Sequence, residues 1–191
     1  ILHGLALHRS LSQFCRNFCL WFVCVDSLVH KQLTKMNLPN VQLLTLEDHE
    51  TPELLSVKDS RTRGEYCFTI TPFVPGFVFQ HAPNIRRVTY IDADLCFFDS
   101  PHLLLDEFEK SGRSVLITEH GYAPEYDFAA TSGRFCVQFL TFNNDSAALE
   151  VQKWWQARCL EWCFNRAEDG KFGDQKYLDL WPTLFEKAIY I

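Results

Sequence analysis

Two aspartates follow an apolar run near the middle of the chain, and this arrangement constrains the fold most. Residues 88–91 are β-branched, aromatic or apolar, which predicts a buried strand, and Asp92 and Asp94 come directly after them. Residues i and i+2 of a strand point to the same side, where two buried carboxylates would repel each other. They are tolerated at the carboxyl end of a strand, where open α/β sheets bind ligands. The sequence therefore predicts a site for a divalent metal and a phosphate group.

Strand-like and helix-like segments alternate along the chain, which is typical of βαβ units and a mainly parallel sheet. The predicted strands cover residues 18–25, 41–46, 87–92, 114–118, 135–142 and 187–191. The predicted helices cover residues 1–14, 27–36, 53–59, 100–110 and 146–166, with a helix over 60–82 that breaks near Pro72 and a short one that starts at Asp174 and ends before Pro182. No repeat or linker is evident, so we expect one α/β domain over residues 1–191.

Charge and hydropathy exclude some classes of partner. The formal net charge of −6 argues against a broad nucleic-acid surface. No apolar run reaches the roughly 18 residues of a membrane span, so we expect no transmembrane segment. The first residues lack signal-peptide features and an initiating Met. We therefore expect a cytoplasmic protein whose chain is incomplete at both ends.

Eight cysteines are present, and none of them forms a Cys-x-x-Cys pair. The simplest interpretation is that they are free thiols, acting as small core residues in a reducing cytosol. A structural zinc site and disulfide bonds are the alternatives.

The aspartate pair suits a hard cation. Carboxylate oxygens favour Mg²⁺ or Mn²⁺, which proteins commonly hold with one or two carboxylates and the phosphates of a substrate. Such an ion neutralises a diphosphate and makes it a better leaving group. The alternative is that Asp92 and Asp94 only cap the strand and the following helix.

The run Tyr90-Ile-Asp-Ala-Asp-Leu-Cys-Phe-Phe-Asp-Ser-Pro101 resembles the metal-binding motif of GT-A fold nucleotide-sugar glycosyltransferases, especially the family 8-like group. Arg61-Thr-Arg-Gly-Glu-Tyr66 resembles that group's helix near the nucleotide and diphosphate. Residues 173–179 (GDQKYLD) resemble its Asp-Gln segment near the acceptor, and residues 137–143 take the place of the strand that faces the donor sugar. These segments occur in the expected order and together span roughly residues 1–190.

The resemblance implies a Rossmann-like, three-layer α/β/α GT-A domain with a mixed, mostly parallel sheet. It implies metal-dependent transfer of a hexose from a nucleoside diphosphate sugar, UDP being favoured, to a carbohydrate or glycolipid acceptor. Asp92 and Asp94 would hold Mn²⁺ or Mg²⁺. The residues that would contact the donor are Arg61, Arg63, Tyr66, Asp92, Ala93 and Asp94, and those that would orient the sugars are Gln138, Asp174 and Gln175.

The chain also departs from the family 8 pattern. A nucleotide-binding strand usually precedes the first helix, and a later His-x-x-Gly-x-x-Lys-Pro-Trp motif completes the metal shell; neither has a match in this sequence. Lys176 stands where an acidic residue often follows Asp-Gln. The resemblance therefore implies a domain that is catalytically incomplete, and the retaining stereochemistry of family 8 carries over only weakly.

Simpler roles exist for several of these residues. Asp174 is either a helix N-cap or a carboxylate of the catalytic pocket, and Gln175 either contacts a sugar hydroxyl or faces solvent. Gln138 contacts a sugar or satisfies an internal network. Arg61 and Arg63 bind a diphosphate with their forked donors or form surface salt bridges.

Residues 119–133 form a long polar and aromatic segment, whose length is typical of a functional loop. His120, Tyr122, Glu125 and Tyr126 could face an acceptor, with rings that stack on sugars, or belong to an ordinary surface loop. Asp99 fits the cap of the following helix better than a metal shell.

Two other functions are open. A haloacid-dehalogenase-type phosphotransferase also places Asp-x-Asp after a buried strand, with Asp92 as nucleophile. That class usually has Thr or Val two residues on, whereas Leu95-Cys96-Phe97-Phe98 follows here. The third possibility is a non-catalytic domain that binds a sugar nucleotide.

Overall fold

The computed structural model describes residues 1–191 and has a mixed α/β architecture, as predicted at that level. The strands are β1 (Leu20–Cys24), β2 (Val41–Thr45), β3 (Arg87–Ile91), β4 (Val115–Glu119), β5 (Phe135–Asn143) and β6 (Ile189–Tyr190). The helices are α1 (Leu2–Phe14), α2 (Ser27–Met36), α3 (Pro52–Lys58), α4 (Arg63–Ile70), α5 (Val74–His81), α6 (His102–Ser111), α7 (Ala129–Ser132), α8 (Ser146–Glu161) and α9 (Trp181–Leu184). None of these helices has the length and apolar character that a membrane crossing would require.

The chain forms two compact units, one made of residues 1–51 and 92–110 and the other of residues 52–91 and 111–191. The first unit contains a βαβ arrangement in which β1 and β2 are parallel and α2 connects them. The Asp26 side chain caps α2 by accepting a hydrogen bond of 2.8 Å from the Val29 amide, and Asn37 ends the helix with φ of 45°. These elements confirm the prediction, although β1 is half-buried before Cys24, whereas a fully buried strand was expected.

The second unit contains a four-stranded sheet in the order β3-β5-β4-β6. Strand β5 is antiparallel to both β3 and β4, and β6 is parallel to β4. The sheet is mixed as expected, but the prediction that it would be mostly parallel was wrong. A parallel connection needs a crossover, usually a helix. Between β4 and β5 the chain forms a loop with only a 3₁₀ turn and the four-residue α7, so it returns antiparallel.

The core of the second unit lies between β5 and α8. Trp155 of α8 is fully buried and packs near Phe142 and Trp181, at ring-centroid distances of 6.4 and 5.3 Å. Helix α8 ends at Glu161, earlier than predicted, and the apolar Trp162 and Cys163 are buried beyond its end. The apolar residues of this segment therefore belong to the core, as predicted, but not all of them lie on the helix.

Two prolines lie at helix boundaries, and the sequence predicted the position of the first one better than that of the second. The predicted break near Pro72 is a 3₁₀ turn between α4 and α5, and the Gln152 side chain donates a hydrogen bond of 2.9 Å to the Pro72 carbonyl. Pro182, expected to lie beyond a helix end, instead lies in the first turn of α9. A proline is accommodated there because the first amides of a helix have no partner within it.

All eight cysteines are free thiols. Cys159 and Cys163 are fully buried, and burial raises the pKa of the Cys159 thiol well above its usual value. Cys96 and Cys19 are exposed. Most of these side chains therefore act as small core residues, in agreement with the simplest interpretation of the sequence.

The start of α4 is fixed by a capping box formed by Thr62 and Glu65. The Glu65 carboxylate accepts hydrogen bonds of 2.9 Å from the Thr62 amide and 2.9 Å from the Asn165 amide. These bonds, the one from Thr62 above all, lower the pKa of Glu65. The ionised carboxylate therefore ties the beginning of α4 to the chain that follows α8.

Replacement of Trp155 by Ala should destabilise the second unit by about 3–5 kcal/mol, because it opens a cavity and removes a buried ring. The free energy of unfolding from urea titration checks this. Leu149→Ala, at an exposed position on the same helix, is the matched control and should change that free energy by less than about 0.5 kcal/mol. Equal losses in the two variants would contradict the assigned core.

Glu65→Gln should make unfolding less dependent on pH. Because the folded-state pKa of Glu65 is lowered, its contribution to stability is present above the unfolded value of about 4.3 and is lost as pH falls through the folded value. The difference in melting temperature between wild type and variant should be largest near about pH 6–7 and should shrink progressively as pH falls below about 4.3. A difference that stays constant across this range would contradict the ionic contribution of the capping box.

Candidate functional site

The aspartate pair lies in a turn directly after β3. Strand β3 ends at Ile91, and the Leu95 amide donates a hydrogen bond of 3.2 Å to the Asp92 carbonyl. Asp92 is half-buried, and Ala93 and Asp94 are exposed. The pair therefore lies at the carboxyl end of the strand, as expected, although β3 ends one residue earlier than predicted and does not include Asp92. A turn leaves the carboxylates accessible to a solvated ion.

The chain after the pair is anchored within the first unit. The Phe97 amide donates a hydrogen bond of 3.0 Å to Ser10 Oγ on α1. Asp99 Oδ1 accepts a hydrogen bond of 2.7 Å from the Ser100 amide, and Ser100 Oγ accepts one of 3.3 Å from the His102 amide at the start of α6. Asp99 therefore belongs to the helix cap, as predicted, and Asp92 and Asp94 are the carboxylates at the turn.

These two carboxylates fit a hard divalent cation as a partial set of ligands. No group of three or more His, Cys, Asp or Glu side chains is arranged to hold a metal ion. Mg²⁺ and Mn²⁺ commonly bind to one or two carboxylates and take their remaining ligands from substrate phosphates and water. Asp92 and Asp94 could therefore hold such an ion together with a diphosphate.

The three predicted donor contacts around α4 have different environments. The Arg61 guanidinium lies 3.9 Å from the Phe164 ring centroid, and its Nη2 donates a hydrogen bond of 3.4 Å to the Leu160 carbonyl. Tyr66 is buried, whereas Arg63 is exposed at the first position of the helix. Arg61 therefore has a packing role, whereas Arg63 exposes its side chain at the first position of α4.

Gln138 is half-buried in β5, within a stretch where the register between β4 and β5 shifts. The pairing of Ile91 with Phe139 is the last between β3 and β5. Gln138 immediately precedes Phe139, just as Asp92 immediately follows Ile91. Gln138 thus lies one residue beyond the last pairing between β3 and β5.

Asp174 is buried, with 6% of its surface exposed, and its backbone carbonyl accepts a hydrogen bond of 2.8 Å from Trp155 Nε1. The 3₁₀ turn after it begins at Lys176, so Gln175 occupies the capping position and no side chain caps the turn. The interpretation of Asp174 as a helix N-cap was therefore wrong. Its position is fixed by the core tryptophan.

The segment that carries Asp174 holds the loop between β4 and β5. We call residues 173–179 the clamp segment and residues 120–134 the aromatic loop. Gln175 Nε2 donates a hydrogen bond of 2.8 Å to the Ser132 carbonyl, and Lys176 Nζ donates one of 2.9 Å to the Ala129 carbonyl. Gln175 and Lys176 therefore bind the backbone of the loop around α7.

Asp179 completes this set of contacts. Its Oδ2 lies 2.9 Å from Lys176 Nζ, and its Oδ1 accepts a hydrogen bond of 2.8 Å from the Arg134 amide. The Lys176 and Asp179 side chains are only 16% and 25% exposed, so water and salt screen their attraction less than at an open surface. Gly133 has φ of 115°, and a Cβ there would lie 3.4 Å from the Lys176 Cα, so only glycine suits this close approach.

The aromatic side chains of the loop differ in how far they are exposed. His120 and Tyr122 are stacked with ring centroids 4.4 Å apart, and the Tyr122 hydroxyl donates a hydrogen bond of 3.3 Å to the Gly133 carbonyl. Burial raises the pKa of Tyr122, against the opposing effect of its hydrogen bond with Gln175. Tyr126 and Phe128 instead leave 66% and 54% of their surfaces exposed. The loop therefore has a packed base and an exposed aromatic edge.

The sequence had indicated the loop and the Asp-Gln pair but not the contacts that join them. Lys176 had been noted only as a departure from the family pattern, and Asp179 and Gly133 had been given no role. The i, i+3 spacing of Lys176 and Asp179 was an available signal for an ion pair. The contacts to loop carbonyls had no such signal, because every residue carries a carbonyl.

No model of a known protein family matches the chain. The chain is similar to two proteins of Bacillus subtilis strain 168. It is 32% identical over 192 residues to the uncharacterized protein YfnF, and the alignment covers 97% of this chain and 63% of that protein. It is 30% identical over 186 residues to the uncharacterized protein YfnD, and the alignment covers 96% of this chain and 59% of that protein. The chain thus spans about three-fifths of the length of each of these relatives.

Proposed function

We propose that the chain carries a metal-dependent glycosyltransferase domain of the GT-A type. The reaction is transfer of a hexose from a nucleoside diphosphate sugar, with UDP as the favoured nucleotide, to a carbohydrate or glycoconjugate acceptor. The observation that carries the proposal is the accessible turn Asp92-Ala93-Asp94, which directly follows β3 in a mixed α/β fold.

In this proposal Asp92 and Asp94 hold Mn²⁺ or Mg²⁺ through their carboxylate oxygens. The ion supplies positive charge that stabilises the departing diphosphate. Arg63, exposed at the start of α4, adds a guanidinium that can donate two hydrogen bonds to phosphate oxygens. Arg61 contributes indirectly, because its packing on Phe164 supports the chain just before α4.

The polar residues of the second unit have separate roles. Gln138, half-buried in β5, offers an amide that can orient the donor sugar. Asp174, buried and fixed through its carbonyl by Trp155, offers a carboxylate that can contact the donor or acceptor sugar. Gln175 uses its amide nitrogen to hold the Ser132 carbonyl, so it acts mainly as a positioning residue for the aromatic loop.

Asp92→Asn and Asp94→Asn should each weaken Mn²⁺-dependent binding of UDP by about tenfold or more, because each removes one anionic metal ligand. Thermal shifts of the 191-residue chain, titrated with UDP at fixed Mn²⁺, provide the measurement. Asp99→Asn is the matched control, since Asp99 is an exposed carboxylate of the same segment that serves a helix cap.

The same titrations separate the competing functions. Absence of any Mn²⁺-dependent shift with UDP, CDP, GDP, ADP or dTDP would contradict the transferase proposal. Trapping of a covalent phosphoryl group on Asp92 would favour the phosphotransferase instead. Binding of a UDP-sugar without hydrolysis or transfer would favour a non-catalytic domain.

Arg63→Gln and Arg61→Gln should affect different properties, the first UDP binding and the second thermal stability. The first should weaken UDP binding by about three- to tenfold, because it removes the guanidinium proposed to bind the diphosphate. The second should lower the melting temperature, because it removes the guanidinium that packs on Phe164 and binds the Leu160 carbonyl. UDP titrations and thermal melts of both variants test this contrast, and the reverse pattern would assign the diphosphate contact to Arg61.

A further inference from the structure

We propose that the exposed edge of the aromatic loop, formed by Tyr126 and Phe128, is a binding surface for a neutral saccharide. This inference rests on the proposed transferase function, in which that saccharide is the acceptor. It is carried by three properties of the loop: the exposure of its rings, the acidic character of residues 120–133 and the rigidity of its base.

The rings of Tyr126 and Phe128 lie two residues apart and leave more than half of their surfaces in water. Exposed clusters of large aromatic side chains commonly mark binding surfaces. One face of a pyranose ring presents C–H groups, which pack on the electron-rich face of an aromatic ring while the hydroxyls stay solvated. Two exposed rings on one loop thus suit a saccharide better than a ligand that must be fully buried.

Charge argues for a neutral occupant. Residues 120–133 of the loop contain no Lys or Arg, but they contain Glu125 and Asp127, and Arg134 at the end of the loop is paired with Glu119. Anionic lipid surfaces and nucleic acids attract basic segments, so the loop should repel both. A carboxylate such as that of Glu125, which is exposed beside Tyr126, can accept hydrogen bonds from sugar hydroxyls.

The base of the loop is held in place before any ligand arrives. Lys176 and Gln175 donate hydrogen bonds to loop carbonyls, and Asp179 accepts a hydrogen bond from the Arg134 amide. The stacked His120 and Tyr122 rings fill the space behind the exposed edge. Preorganisation of this kind improves binding because less conformational entropy is lost on association. Lys176 is thereby a positioning residue, whose effect on a ligand is exerted through the loop.

Saturation-transfer NMR with four methyl glycosides, those of glucose, galactose, mannose and N-acetylglucosamine, tests the surface. At least one glycoside should receive saturation from the wild-type chain, and the signal should fall about fivefold or more in Tyr126→Ala and Phe128→Ala. Leu149→Ala, which also shortens an exposed apolar side chain of the second unit, is the control and should keep the signal. Both loop variants should keep the Mn²⁺-dependent UDP shift.

A second pair of variants tests the positioning role. Lys176→Met should accelerate hydrogen exchange of amides in residues 120–134 and reduce the glycoside signal about threefold or more, and Lys176→Arg should restore both. If Lys176→Met fails to fold, the Tyr126 and Phe128 variants still decide the proposal, because their side chains are exposed.

The outcomes separate this inference from the transferase function. A glycoside signal that is absent in wild type, or unchanged in both aromatic variants, overturns the saccharide surface even where UDP binding is normal. A signal that depends on the rings without any UDP binding supports the surface and removes the transferase function. Binding to phosphatidylglycerol vesicles that requires Phe128, with no glycoside signal, identifies a membrane contact and overturns the proposal.

Discussion

The hydrogen bond from Trp155 Nε1 to the Asp174 carbonyl is the interaction on which much of the second unit depends. It joins the helix that covers β5 to the clamp segment, and it does so at a fully buried side chain. Because the indole nitrogen has one donor and the buried carbonyl needs a partner, both groups are satisfied in a single arrangement. The position of Asp174 in turn fixes Gln175, Lys176 and Asp179, and through them the loop between β4 and β5. Packing in the core and order at the surface are therefore linked by one short stretch of chain.

Local signals predicted local structure well. The helix break expected near Pro72 is present, and Asp26 and Asp145, acidic residues directly before helices, cap those helices. Each of these features is decided within a few residues, so the sequence alone contains the information. The direction of β5 is not decided locally, because it depends on which strands it joins and on how the chain returns from β4. The same holds for Asp174, whose carbonyl is bound by the side chain of the distant Trp155.

In the candidate site, too, the sequence predicted the local features and not the long-range contacts. The motif predicted the Asp92 and Asp94 pair and its place at the end of a strand, and the structure adds that the pair lies in a turn. Strand β3 is an edge strand, since its only neighbour in the sheet is β5. The clamp contacts could not be predicted, because they join side chains to backbone carbonyls more than forty residues away.

The difference in exposure among the cysteines allows selective labelling of the protein. The buried cysteines have little access to reagents, and Cys159 resists ionisation as well, so maleimide dyes should label the exposed thiols first. Cys96 is one of these, and it follows Asp94 by two residues in the same segment. With Cys19 replaced by Ser, a fluorophore on Cys96 would sit beside the carboxylate turn. Its emission would then follow local electrostatics in real time, without a radioactive sugar or a known acceptor.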